Sequence, residues 1–248
     1  MLKSELKEKF KSVRGYWDDS LDGLLDQDPE FFEAFLQFTS VPWKKGALDP
    51  KTKELCYLSV YANASHLYTA AIKTHVQKAM QFGATKEEIL EVFQLISVIG
   101  MHTFLEGLPL LIEEINKNEV IDTELNERKS KLKEEFIKGR GYWNAFWDGL
   151  LLLDDEFFEV YIKFSTIPWK KGPLTPKQKE FIYIAGDASA THLYTPGLRV
   201  HVQNALKYGA TKEEILEVYQ LAAEVGMGTF KEGMPILIEE LDRLTAAK

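Results

Sequence analysis

The hydrophobic residues of this chain recur at helical spacing from end to end, and no stretch alternates with the period of two expected of a half-buried strand. After Asp28-Pro29, the residues expected to share one buried helical face are Phe31, Phe32, Phe35, Leu36 and Phe38. The segment 42–46 is expected to end that helix, because proline and glycine interrupt helical hydrogen bonding. The chain is therefore predicted to be all-α.

Capping signals divide the rest of this half of the chain into further helices. Asp49-Pro50 predicts a helix start, and that helix is expected to run towards Ala62. Another helix is expected from about Thr69 to Phe82, ending at Gly83. The stretch Thr85-Lys-Glu-Glu88 forms a capping box. The apolar residues expected to be buried in the helix after it are Ile89, Val92, Phe93, Ile96 and Ile99.

The two halves of the chain repeat one another. With a shift of 126 residues, positions 14–115 align with 140–241 without a gap, and 58 of these 102 positions are identical. We therefore predict two tandem domains, residues 1–122 and 123–248, each large enough for its own core and packed about a pseudo-twofold axis. The connecting stretch 116–134 contains no glycine or proline, so we expect it to be helical and continuous with the first helix of the second copy.

Composition and charge restrict the partners and the location. A chain that is 45% hydrophobic and 27% charged is ordinary for a soluble protein, and its net charge of −8 argues against a nucleic-acid partner, which needs a basic face. It has no run of 18 apolar residues, so neither a membrane span nor a membrane partner is expected. The first ten residues lack the hydrophobic region of a signal peptide, and the single cysteine, Cys56, forbids a disulfide within the chain. We therefore expect a cytoplasmic protein.

Titratable residues that both copies keep are the first candidates for chemistry. The histidines among them are His66, His75, His192 and His201, and the glutamates are Glu54 and Glu180. Histidine titrates near neutral pH and suits general acid/base catalysis, although a repeated histidine can also serve as a structural hydrogen-bond donor at a helix end. His102 has Gly228 as its counterpart, so we expect it to be incidental or specific to one site.

Aromatic and hydroxyl residues around these positions are candidates for substrate binding. They are Tyr68, Tyr194, Thr69, Thr195, Trp43 and Trp169. A phenol can bond a substrate oxygen or be half-buried in the core, and each tryptophan either lines a pocket or holds a loop to the core. Glu106 and Glu232 are weaker candidates. No metal site is expected, because His66 and His75 are nine residues apart and ligand pairs on a helix lie three or four apart.

The segment from Glu54 through His66 and His75 to Gly83-Ala-Thr-Lys-Glu-Glu-Ile, with its repeat, resembles the carboxymuconolactone decarboxylase and AhpD-like alkylhydroperoxidase superfamily, an all-helical fold. The resemblance implies that His75 or His201 is the acid/base group, with the other histidine of the same copy as a second polar group and the glutamate as the orienting carboxylate. It also implies a homo-oligomer, since family members commonly form trimers or hexamers. A fused pair is expected to form a trimer.

The peroxidase branch of that superfamily carries Cys-x-x-Cys twelve residues after the glutamate, and this chain does not. Counting from Glu54 puts His66 and Thr69 at the cysteine positions, whereas counting back from the next histidine puts Tyr68 and Ala71 there. Without a dithiol, reduction of hydroperoxides is not expected. The resemblance implies instead an enzyme without a cofactor that acts on a small organic acid or lactone, with a carboxylate as its expected ligand. A non-catalytic binding protein and, less favoured, a peroxidase are the alternatives.

Overall fold

Helices make up the fold over residues 2–246, the part of the chain that the computed structural model describes. The first copy contains α1 (Lys3–Arg14), α2 (Asp22–Gln27), α3 (Pro29–Lys45), α4 (Pro50–Tyr61), α5 (Thr69–Gln81), α6 (Lys86–Ser97) and α7 (His102–Ile115). The second contains α8 (Glu127–Arg140), α9 (Asp148–Leu153), α10 (Asp155–Lys171), α11 (Pro176–Ala188), α12 (Thr195–Lys207), α13 (Lys212–Ala222) and α14 (Gly228–Ala246). Short 3₁₀ turns precede α2, α7, α9 and α14. The seven helices of each copy correspond one to one, which confirms the predicted duplicated all-α fold.

The predicted capping residues begin the helices that form the sites. The Asp49 carboxylate accepts a hydrogen bond from the backbone N–H of Thr52 at 3.0 Å, and the Thr85 hydroxyl accepts one from Glu88 at 3.1 Å. In the second copy Thr175 caps α11 in the same way. Each cap satisfies backbone donors that a helix end leaves free, so α4, α6 and α11 start where the sequence places them.

Two details of the predicted pattern are wrong. Helix α3 does not break at Pro42 but continues to Lys45, because one buried face runs along it from Phe32 to Pro42 and packing outweighs the missing backbone donor. The buried stripe is also narrower than predicted. Phe31 and Phe38, seven residues apart, lie together on the outer face and are exposed, and Phe93 of α6 is exposed for the same geometric reason.

The connection between the copies is not a continuous helix. Residues 119–126 have no helical structure, and α8 begins at Glu127, where the Asn126 side chain accepts a hydrogen bond from the backbone N–H of Lys129 at 2.9 Å. Val120, at 90% exposure, packs against nothing. A segment without an apolar face gains no helix stability from packing, so the lack of glycine and proline was insufficient evidence for a helix here.

The two copies share their cores instead of each burying one of its own. One cluster joins Leu55 and Leu58 of α4 to Phe136 and Leu150 of the second copy. A second cluster is built largely from α4, α11 and α13. A third, around Phe32, includes Met227 and Phe230 from the far end of the chain. The fused pair therefore packs like a tight homodimer.

Reciprocal buried ion pairs cross the pseudo-twofold axis. Glu91 of the first copy lies 3.0 Å from the Lys179 ammonium, and Glu217 of the second copy lies 2.7 Å from Lys53. All four side chains are buried. An added Cβ at Gly186 would lie 2.9 Å from the Cδ1 of Ile96, so this glycine permits the close contact between α11 and α6.

One stretch is apolar enough to resemble a membrane span, although no membrane span was expected from the sequence. Within Lys86–Ile115, which is 30 residues long, an 18-residue window has a mean hydropathy of 1.7, which by length and composition alone would be sufficient. In the fold this stretch is α6, a 3₁₀ turn at Val98–Met101 and α7. Core packing accounts for the apolar face that α6 buries, whereas in α7 Leu105 alone is buried.

Candidate functional site

A buried glutamate and histidine pair forms the centre of each copy. In the first copy, Nδ1 of His75 on α5 lies 2.6 Å from Oε2 of Glu54 on α4. In the second, Nδ1 of His201 on α12 lies 2.6 Å from Oε2 of Glu180 on α11. Both carboxylates are fully buried. A carboxylate bonded to Nδ1 fixes the ring and leaves Nε2 for a proton transfer, so the predicted pairs have the geometry that acid/base chemistry needs.

Aromatic rings hold these histidines in place. The His75 ring stacks against two tyrosines, Tyr57 at 4.5 Å between centroids and Tyr61 at 5.2 Å. The His201 ring stacks on Tyr183 at 4.3 Å, but the counterpart of Tyr61 in this copy is Asp187. The second site therefore has a carboxyl group where the first has a ring. The cavities beside the two histidines are similar in size, about 30 Å³ at the second site and about 20 Å³ at the first.

A strained turn positions the other predicted histidine and tyrosine. Leu67 and Leu193 have φ of 46° and 48°, a left-handed conformation that is rare for leucine. Next to Leu193, the backbone N–H of Tyr194 donates to the Asp187 carbonyl at 3.0 Å, and Tyr68 donates to Tyr61 in the same way. Both copies keep this strain, which is typical of a functional turn.

A buried arginine that the sequence analysis did not single out lies beside each pair. In the first copy Nη1 of Arg14 lies 2.8 Å from Oε2 of Glu224, and the Tyr57 hydroxyl donates to the same carboxylate at 2.7 Å. Arg14 and Glu224 are 3% and 5% exposed. The positive charge of the first site is therefore neutralised by an acid from the other copy.

In the second site the equivalent arginine has no such partner. The counterpart of Glu224 is Val98, and among the described residues neither Nε nor Nη1 of Arg140 has a hydrogen-bond partner. The Tyr183 hydroxyl, 3.4 Å from Nη2, is a weak contact. Arg140, Asp187 and His201 line a cavity of about 30 Å³, whose opposite wall is formed by Val98–His102 and Leu105 of the first copy.

His102 closes this cavity and makes the second site different from the first. Its Nδ1 lies 2.7 Å from Nε2 of His192, and its ring stacks on Tyr194 at 3.7 Å. The first site has Gly228 of the second copy at this position, and there the Nε2 of His66 has no partner among the described residues. His102 is thus specific to one site, one of the two alternatives that the sequence left open.

Burial shifts the titration of these groups. It lowers the pKa of His102 to about 3, with a further contribution from His192 and His201. It lowers the pKa of His192 as well. It raises the pKa of Asp187 to about 7, an effect that Glu180 increases and His201 opposes. Both His102 and His192 are therefore neutral at neutral pH.

Of the remaining candidates from the sequence, the two tryptophans lie beside the buried arginines and the others lie outside the cavity. Trp43 and Trp169 face the arginines, with the guanidinium carbon of Arg14 5.1 Å and that of Arg140 5.4 Å from the rings. Thr69 lies at the first turn of α5 and is exposed. Three other candidates are exposed as well: Thr195, Glu106 and Glu232. The threonines were predicted to bind substrate, and they do not line the cavity.

The residues that sequence reasoning missed fall into two groups. Arg14 and Arg140 stand in the motif Arg-Gly-Tyr-Trp, which both copies keep, so repetition alone could have identified them. Asp187 and Val98 differ from their counterparts in the other copy, so comparing the copies for identical residues does not identify them. The asymmetry of the two sites is visible only in the structure.

The largest cleft lies elsewhere, at about 590 Å³, where Lys45 faces Glu213, Leu216 and other residues of α13. It is wide and solvent-exposed, and it contains no histidine or buried unpaired charge. Convergent polar groups with shifted pKa values identify a reactive site better than volume does, so we place the candidate site at the smaller cavity.

Comparisons with known proteins agree with this architecture. The model of the carboxymuconolactone decarboxylase family matches residues 29–104 and again 155–237. The chain has a TM-score of 0.95 and 42% identity, over 98% of both chains, to the crystal structure of a Burkholderia xenovorans LB400 protein that has been proposed to be a gamma-carboxymuconolactone decarboxylase subunit. An uncharacterised protein of Methanocaldococcus jannaschii is 31% identical over 86 residues, which are 34% of this chain and 78% of that protein. The chain therefore belongs to the carboxymuconolactone decarboxylase family.

Proposed function

We propose that the chain is an enzyme that acts on a small organic acid or lactone by acid/base chemistry, at the cavity of the second copy. The observation that carries this proposal is the buried Arg140 guanidinium, which has no acidic hydrogen-bond partner and lines one cavity with His201, the residue that Glu180 holds. Membership of the carboxymuconolactone decarboxylase family supports the reaction class.

Arg140 suits the binding of a carboxylate. A guanidinium stays charged at any physiological pH and presents paired N–H donors that match a carboxylate in two parallel bonds. An unpaired buried charge is costly, so an anionic substrate would relieve that cost on binding. The same argument does not apply to Arg14, which Glu224 already occupies.

His201 is the acid/base group in this proposal. Glu180 holds Nδ1, so that Nε2 exchanges a proton with the substrate and the buried carboxylate stabilises the imidazolium that forms. Proton transfer next to a substrate carboxylate held by Arg140 serves lactone isomerisation and decarboxylation alike.

The cavity must widen to admit a substrate. At about 30 Å³ it has room for about one water molecule. Of the residues of α7, which begins with His102 at the cavity, Leu105 alone is buried. A helix with so little buried surface is the wall that moves at the lowest cost, so we infer that displacement of α7 opens the site.

The test is turnover on a panel of small lactones and β-keto acids, with calorimetry on the same compounds. We expect turnover by the wild-type chain and by His75→Gln, and its loss in His201→Gln. Saturable binding without turnover in any variant would favour the non-catalytic binding protein. The absence of both binding and turnover across a broad panel of compounds would contradict the proposal.

The peroxidase alternative depends on Cys56. This thiol is fully buried in the shared core, and burial raises its pKa well above the ordinary value. Buried thiols in apolar surroundings are inert, and no second cysteine exists to resolve an oxidised product. Cys56→Ala should leave the activity of the chain unchanged, and a hydroperoxide reductase rate that disappears in this variant would favour the peroxidase.

We also propose that the chain assembles as a cytoplasmic homo-oligomer, with a trimer favoured. The outer face of α10 exposes an apolar row consisting of Phe157, Val160, Phe164 and Ile167, and the equivalent face of α3 exposes Phe31, Phe38 and Val41. Rows of this kind are typical of protein interfaces. Light scattering should give a mass of three chains of 28.4 kDa each, and a strict monomer at micromolar concentration would contradict the proposal.

A further inference from the structure

We propose that His102, Asp187 and His192 bind one first-row divalent metal ion, at a site that the second copy alone possesses. Asp187 and His192 lie five residues apart, at the end of α11 and in the turn after it, and His102 comes from the first copy. The fold brings one potential ligand atom of each within 4.8 Å of the others. Because no two of them share a helix turn, no spacing rule applied to the sequence finds them.

The geometry requires only small adjustments to hold an ion. A tetrahedral ion with ligands at roughly 2.0–2.1 Å keeps its donor atoms about 3.3 Å apart. The ring nitrogens of His102 and His192 are 2.7 Å apart, so they must separate by roughly half an ångström. Both side chains are partly exposed and can make that movement. The cavity of about 30 Å³ also leaves room for one water to complete the coordination.

The donor set suits a transition metal. Two histidines and one carboxylate with an open position form sites for Zn²⁺ and for non-haem Fe²⁺. Asp187 is 1% exposed, and its Oδ2 has no hydrogen-bond partner among the described residues. A buried carboxylate oxygen without a donor is satisfied by a cation at this position.

The first copy provides the matched comparison inside the same chain. The first site keeps His66 as the counterpart of His192, but it has Gly228, contributed by the second copy, instead of His102, and Tyr61 instead of Asp187. Two of the three ligands are therefore missing there, although the turn that carries the histidine has the same strained backbone. The second site has the extra histidine, contributed by the first copy, and the extra carboxylate of the second copy together, in contact with one cavity.

The test is direct Zn²⁺ binding by the full chain, prepared without a histidine tag and stripped with a chelator. We expect one Zn²⁺ per chain by elemental analysis and calorimetry. His102→Gly, which copies the natural glycine of the first site, should weaken binding by more than the roughly 10–100-fold that loss of an outer-shell partner costs. His192→Gln should do the same.

The control is His66→Gln, which removes the matched histidine of the first copy and should leave both stoichiometry and affinity unchanged. Unfolding curves recorded without metal establish that each variant is folded. Two ions per chain, no saturable binding, or binding that persists in His102→Gly would each overturn the proposal. Because no substrate is used, these results stand whether or not the chain proves to be an enzyme.

Discussion

In the first copy a buried arginine, Arg14, is paired with Glu224, and two tyrosine rings enclose the adjacent histidine. At the second site the equivalent Arg140 has no acidic partner at hydrogen-bond distance, one of the two rings is replaced by Asp187, and His102 of the first copy is added. The helices, the Glu–His pair and the strained turn are the same in both. The two sites therefore differ in the residues around the Glu–His pair, and not in the helices and turn that position it.

This difference indicates a division of labour. A closed ion pair in the core fixes structure, and a buried charge without a partner is costly unless a ligand uses it. Proteins retain such unsatisfied groups mainly at functional sites. The first site is accordingly expected to stabilise the fold that both copies share, and the second to bind and react.

The largest expected effect separates the two histidines. His201→Gln should lower kcat by roughly 10²–10⁴-fold, because glutamine cannot transfer the proton, and His75→Gln should leave kcat within a factor of about 3. The measurement is steady-state kinetics on a substrate found by the panel. Equal losses in both variants would mean that both sites react, and the division of labour would be wrong.

For the two arginines we expect the larger effect at the first site, because the measured quantity is stability and not activity. Arg14→Met leaves the Glu224 carboxylate buried without its cation, which typically costs about 3–5 kcal/mol. Arg140→Met leaves no carboxylate partner unpaired, and the lost contacts with aromatic rings are offset by the removal of a buried charge. Its free energy of unfolding should change by no more than about 1 kcal/mol.

Urea unfolding followed by circular dichroism measures both arginine variants, and each serves as the control for the other. Similar shifts of the unfolding midpoint would show that Arg140 has a structural partner in solution. That result would remove the main support for a carboxylate site at the second copy.

Much of the fold could be predicted because its signals are local. The caps at Asp49, Thr85 and Thr175 and the one-to-one repeat fix where helices begin. Local signals fail where tertiary packing decides. Pro42 stays inside α3 because it lies on the buried face of that helix, and residues 119–126 are not helical because none of them is fully buried.

The candidate site was predictable only in part, since repetition favours what the copies share. It identified Glu180 and His201, which the structure brings to 2.6 Å. It ranked His102 low and passed over Asp187, because each differs from its counterpart. These are the residues that distinguish the two sites, and they meet only through the packing of one copy on the other.

Exchanging the residue opposite the arginine should convert one kind of site into the other. Val98→Glu places in the second site the acid that Glu224 provides in the first, and it should raise KM for a carboxylate substrate by about 10–100-fold, the value of one charge-assisted hydrogen bond. The matched variant Glu224→Val frees Arg14 and should leave KM unchanged. If Val98→Glu binds substrate normally, Arg140 does not contact the carboxylate.

The smallest expected effect should be equal in the two copies, because it concerns the strained turn that both copies share and not the residues in which the sites differ. Leu67 and Leu193 adopt the left-handed conformation at 60% and 64% exposure, so their side chains contribute little packing. That conformation costs a leucine roughly 1–2 kcal/mol, and glycine avoids the cost while losing about 0.5–1 kcal/mol of chain entropy. Leu67→Gly and Leu193→Gly should therefore each raise the free energy of unfolding by about 0.5 kcal/mol. Thermal and urea unfolding measure the change, and a loss of stability in either variant would show that the exposed leucine packs against something else, such as a second chain.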